Sequence, residues 1–207
     1  MQEILQNYTD LRAKATKYSK SLANNKPDFE DIFSMIFNNA TMVLEVLDNY
    51  YKYWSRSYIG LKQQEIDRTK KQNAERVIDI TKWSFIHTIS SFEYSAKQII
   101  KYSNNNQFQK LKNDLQNGKR VYILGIMKTS KDSGLISDGD YNEWDGIIYL
   151  RNCLVHNNGV ADKDATLKIG TITVNCKKDK MIQGKLDIFF NLVDTSMDLY
   201  NQWIQKM

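Results

Sequence analysis

The sequence predicts a predominantly all-α fold: a bundle of long antiparallel helices, with one small β-hairpin ahead of the last helix. Three observations predict it. One proline and 9 glycines in 207 residues leave few interruptions to helix. Apolar residues recur at three- and four-residue steps over long windows, first through Ile32, Ile36, Ala40, Val43, Leu47, Tyr50 and Trp54, and again through Phe85, Ile89, Phe92, Ala96 and Ile99. Two-residue alternation is clear in one place, where Leu167, Ile169, Ile172 and Val174 flank Gly170. With 42% hydrophobic residues the chain can bury a sizeable core. It reads as a single domain over 1–207, with a helical core at 28–162 and the hairpin plus final helix at 163–207.

In chain order, Gln2 to Leu22 reads as a mostly polar, peripheral helix, and Ala23 to Pro27 as a break with Pro27 placed to open the next helix. The first long stripe follows from Asp28. Its aromatic end, Tyr50, Tyr51, Tyr53, Trp54 and Tyr58 beside Lys52 and Arg56, reads either as core or oligomer interface or as a base-stacking platform. Lys62 to Arg76 lacks an apolar stripe, which marks an exposed helix extension or a mobile connector. The second stripe runs to about Ser103. On its opposite side, His87, Ser91 and Tyr94 are compatible with a partner-facing surface, a second-layer contact or part of a pocket.

Beyond Asn104 to Asn106, a short helix is expected over Gln107 to Leu115, a turn at Asn117-Gly118, a further helix over Val121 to Lys128 and a loop over Ser130 to Gly139. Asp140 with Glu143 resembles a capping pair that starts the next helix. On that helix Trp144, Ile147 or Ile148, Arg151 and Val155 share a face. The hairpin follows, with Lys177 to Lys180 as a basic turn or strand end. Gly184 then precedes Leu186, Phe189, Phe190, Val193, Met197, Tyr200 and Ile204, an amphipathic helix that returns to the bundle.

A net charge of +5 and a pI near 9.0 fit a polyanionic partner only weakly, since 29 basic residues face 24 acidic ones. Cys153 and Cys176 suggest neither a disulfide framework nor a zinc site, and both read as reduced thiols. No leader pattern or apolar run of membrane-spanning length is visible, so a cytoplasmic protein without membrane contact is expected. No glycine-rich phosphate loop, serine elbow or carboxylate cluster with metal-ligand rhythm occurs, which disfavours phosphoryl or nucleotidyl transfer and implies neither metal nor cofactor.

The chemistry-bearing stretch is Leu150 to Gly159, which holds Arg151, Asn152 and His156. Arginine can fork two hydrogen bonds onto a phosphate, and histidine has the side-chain pKa nearest neutrality, a pair suited to phosphodiester chemistry. The same residues also fit a structural reading, with Arg151 in an ion pair and His156 favoured by the negative end of a helix dipole. His156 lies five residues after Arg151, about 140° round an ideal helix. Asn157, Asn158 and Gly159 tolerate the left-handed conformations that end helices and permit a turn there.

At Arg151-Asn152-Cys153-Leu154-Val155-His156 the chain resembles the HEPN superfamily, whose ribonucleases carry arginine, usually a polar residue next, and histidine after four to six intervening positions. Long helices first, Ser90-Ser91-Phe92-Glu93 in the second core helix, then Gly134-Leu135-Ile136-Ser137, Trp144 and Leu150 extend the resemblance over about residues 28–162. It implies a helical bundle that dimerises so that two motifs meet and cut RNA without metal, in toxin–antitoxin, antiphage or RNA-processing systems. It further implies that Arg151 stabilises charge on the phosphate, Asn152 orients a phosphate oxygen or the imidazole, and His156 is general base or acid. Glu93 is a supporting candidate that would orient His156 or pair with Arg151, with a helix-stabilising role as the alternative. Cys153 is expected to be a small buried group. The competing function is a non-catalytic dimeric module that binds a protein partner, such as an antitoxin, or nucleic acid.

Overall fold

The computed structural model describes residues 2–25, 31–56, 58–182 and 187–207. The expectations at Pro27, Gly184 and Leu186 fall outside them. Among the described residues there are seven α-helices and one two-stranded antiparallel sheet, so the protein is predominantly all-α.

Helices α1 (Gln2–Asn25), α2 (Asp31–Arg56) and α3 (Gln63–Tyr102) form the long part of the bundle. α1 is not peripheral. Ile4, Tyr8, Leu11, Ala15 and Leu22 are buried at helical spacing, Arg12 lies over the Phe37 ring at 4.9 Å, and Lys14 bridges Asp194 and Asp198 of the last helix at 2.7 Å each. A narrow apolar stripe in a polar segment suffices when two neighbours cover it. On α2, Ile36, Ala40, Val43 and Leu47 are buried as the stripe predicts. Asn39, buried with them, donates to Ser84 O at 3.1 Å and to Thr88 Oγ1 at 2.9 Å. At the other end Tyr50 donates to Asn73 Oδ1 at 2.5 Å, so α2 and α3 run antiparallel in a polar-pinned register.

The polar segment before Arg76 is the exposed beginning of α3, and the Glu65 carboxylate accepts from the Lys62 backbone N–H at 2.9 Å to cap it. Phe85, Ile89, Phe92, Ala96 and Ile99 are buried in its second half. A single 3₁₀ turn (Asn106–Phe108) leads into α4 (Gln109–Gln116), followed by α5 (Ile123–Asp132) and α6 (Asp138–His156). The cap of α6 sits three residues earlier than the sequence suggested. Ser137 Oγ accepts from Asp140 N at 3.1 Å, and the Asp140 carboxylate accepts from Ser137 N at 2.9 Å. Glu143 is instead the acceptor for Gly170 N at 2.9 Å, tying α6 to the hairpin turn.

That hairpin pairs β1 (Ala165–Ile169) with β2 (Ile172–Cys176) in the register Leu167↔Val174. It lies flat on α6, where a Cβ on Gly146 would meet Ile169 Cδ1 at 3.2 Å. α7 (Ile188–Lys206) returns to the centre and buries Leu192, Val193, Met197, Tyr200, Trp203 and Ile204. There Phe92 stacks on Tyr200 at 4.1 Å, with Trp144 edge-on to both rings and Trp203 beside Tyr200. Trp203 Nε1 donates to Ser130 Oγ at 2.9 Å, and Tyr200 shares a hydrogen bond with Ser95. This aromatic junction locks α3, α5, α6 and α7 together, and large buried rings of this kind dominate core energetics. No helix among the described residues is long and apolar enough to cross a membrane.

Candidate functional site

Above the junction, α3, α5 and α6 enclose an open cavity of about 550 Å3. α6 supplies Arg151, Asn152 and His156, together with Tyr141 and Ile148, and α3 supplies Glu93. At about 100° per residue, the five α6 residues occupy a sector of roughly 140°, with Arg151 and His156 at its two edges and Asn152 between them. Their separation round the helix therefore spans the cavity rather than pointing them apart.

The buried side of α6 is formed by Trp144, Ile147, Leu150 and Cys153, whereas Val155 is 41% exposed and does not belong to it. Arg151 emerges at the border between this buried side and the cavity. Its Nη1 donates to Asn152 Oδ1 at 3.1 Å, and its Nη2 reaches Ser90 Oγ on α3 at 3.5 Å. Its Nε is buried without a partner. Among the described residues no carboxylate is within ion-pair distance of Arg151, so the structural ion pair considered for it is not formed there. Asn152 orients the guanidinium in this state, and not the imidazole. Glu93 lines the same cavity, but its carboxylate pairs with Lys97 at 2.6 Å, one helical turn along α3.

His156 is the last residue of α6 and is exposed. The helix stops because Asn158 (φ 52°) and Gly159 (φ 83°) adopt left-handed backbone, with Asn157 N and Gly159 N both donating to Cys153 O at 3.0 and 2.9 Å. The segment after this stop is held from outside. Ile182 N donates to Gly159 O at 2.8 Å, Asp179 N to Ala161 O at 2.9 Å, and Ala161 N to Lys180 O at 3.0 Å. Residues following the hairpin thus brace the end of the motif, a role that the 177–180 basic stretch did not announce.

The helix expected over Val121 to Lys128 forms as α5, but its place in the site was not foreseen. Tyr122, Ile123, Leu124 and Lys128 form the wall facing Arg151, and Tyr122 is 59% exposed. The available signal was weak: an aromatic residue at a helix start and a lysine where a short helix passes from apolar to polar residues. The other histidine, His87, is exposed and stacks on Trp83 at 5.2 Å, away from the cavity. Ser91 is buried, its hydroxyl donating to His87 O, and Tyr94 is exposed. Cys153 and Cys176 are both buried and unpaired, and burial raises the Cys176 thiol pKa. No group of three His, Cys, Asp or Glu residues among those described is arranged to hold a metal.

A scan against protein-family models and searches of curated proteins and of solved structures found no match to this chain.

Proposed function

We propose that this protein is a HEPN-type endoribonuclease that cuts RNA without a metal, in a toxin–antitoxin or antiphage setting. One observation carries the reading: Arg151, Asn152, exposed His156 and Glu93 line a single open cavity. The reading supposes attack of a ribose 2′-OH on the adjacent phosphorus, with the 5′-oxygen of the next nucleotide leaving and a 2′,3′-cyclic phosphate remaining. Arg151, held by Asn152 and carrying further N–H donors, stabilises the charge that grows on the phosphoryl oxygens. His156 takes the hydroxyl proton or gives one to the leaving oxygen. A single imidazole does not readily do both in one step, so a second copy of the chain bringing its own His156 completes the acid–base pair.

A second reading, a non-catalytic module that binds a protein partner, draws on a different face. Met42, Val46 and Trp83 are each more than 40% exposed and border an apolar groove between α2 and α3.

Incubating total cellular RNA with the wild type and His156→Ala in EDTA separates the two readings. The nuclease reading expects cyclic-phosphate ends from the wild type, with specific activity falling on dilution as dimers dissociate. Intact RNA, or equal cleavage by both proteins, would leave the module reading in its place.

A further inference from the structure

Phosphodiester cleavage requires a phosphate anchor and proton-transfer groups, which α6 carries. It does not require the remaining lining of the cavity. Tyr122, Tyr141 and Ile148 add aromatic and aliphatic surface that carries no charge, while Lys128 adds an exposed cation on the α5 side. Tyr141 is half-buried and anchored by Lys131, whose ammonium lies 4.9 Å from its ring centre. Tyr122 is unlike it: a large ring mostly in solvent at the cavity lip, which contributes little to the core.

We infer that the cavity takes one unstacked nucleotide of single-stranded RNA, its base on Tyr122 and its phosphate between Arg151 and Lys128. The inference rests on the nuclease reading for the identity of the polymer, and it deepens that reading by naming the substrate form. An aromatic lining that shares one cavity with two cations matches a nucleotide, whose base is flat and uncharged and whose phosphate is anionic. The volume of about 550 Å3 suits a single residue of that size. A duplex keeps its bases paired and stacked, so it presents phosphates but no base to this lining.

The test is binding of a fluorescent 2′-O-methyl oligonucleotide, which lacks the attacking hydroxyl, either as a single strand or annealed to its complement, alongside cleavage of the unmodified RNA. The single strand is expected to bind at least about tenfold more tightly than the duplex. Tyr122→Ala should lose roughly tenfold in affinity, by the usual size of base–aromatic stacking, while Tyr122→Trp retains it. Lys128→Gln should reduce the slope of log affinity against log salt by about 0.7, the value for one phosphate contact on a single strand. In cleavage, Tyr122→Ala should raise KM with kcat little changed.

Equal binding of duplex and single strand, no binding of either, or wild-type affinity in Tyr122→Ala overturns the inference. If RNA is cut normally in that last case, the nuclease reading survives without it. If no RNA is cut but single-strand binding depends on Tyr122, the nucleotide site stands and the nuclease reading falls.

Discussion

The aromatic junction and the cavity above it are built on the same helices and treat their polar atoms in opposite ways. In the junction, Tyr200 pairs with Ser95 and Trp203 with Ser130, and only the Trp144 indole N–H lacks a partner there. At the cavity wall, Arg151 has no ion pair among the described residues, its Nε is unpartnered, and His156 and Lys128 stand in solvent. Buried polar groups are normally satisfied because leaving them unpaired is costly. A cationic cluster with spare donors therefore contributes little to folding, and its donors remain available to a ligand. The junction has the complementary role of fixing where those donors point.

Substitutions graded by their effect on stability sharpen this contrast. Trp144→Ala removes the ring that α6 buries in the junction and should cost about 3–5 kcal/mol, a fall of roughly 10 °C in Tm by thermal unfolding. A loss below about 1 kcal/mol would show that the junction is not what holds α6. Gly159→Ala, at φ 83°, should cost about 1–2 kcal/mol from left-handed strain alone. Because this residue ends the motif helix, the variant should also lose RNA cleavage beyond what its unfolded fraction explains. Tyr200→Phe should cost on the order of 1 kcal/mol at neutral pH by stranding the Ser95 hydroxyl.

The same tyrosine sets an alkaline limit. Burial is the main cause that raises the Tyr200 phenol above its ordinary pKa, outweighing the opposing effect of the Ser95 hydrogen bond. The folded state thus holds the proton after the unfolded chain has lost it. The contribution is complete below about pH 10, the unfolded value, and declines as pH rises beyond it. Tyr8, raised mainly by burial as well, acts in the same direction. Denaturant unfolding followed from pH 8 to pH 11 should show the wild type losing more stability above pH 10 than Tyr200→Phe does. Parallel losses in the two proteins would remove Tyr200 from this account.

Much of the scaffold was legible from periodicity. The α2, α3 and α7 stripes and the Gly170 hairpin appear at the expected residues because a 3.6-residue or two-residue repeat directly reports a buried face. α1 was misread because its five buried residues are diluted by Lys, Asn, Gln and Thr, so composition concealed the spacing. The α6 cap was misplaced because Ser137/Asp140 and Asp140/Glu143 have the same three-residue interval, and only tertiary contact commits Glu143 to Gly170. Arg151, Asn152 and His156 were visible as residue types. Their common cavity was not, since it depends on α5 packing across from α6, and Tyr122 and Lys128 carry no local pattern that records that contact.

The central claim is that the cavity groups serve chemistry and not folding, and His156→Ala tests it most directly when stability and cleavage are measured on the same preparation. The account predicts an unfolding free energy within about 0.5 kcal/mol of the wild type, together with a cleavage rate reduced by roughly 10² to 10⁴. A variant that cuts RNA at the wild-type rate, or that loses activity only in proportion to lost stability, would contradict it.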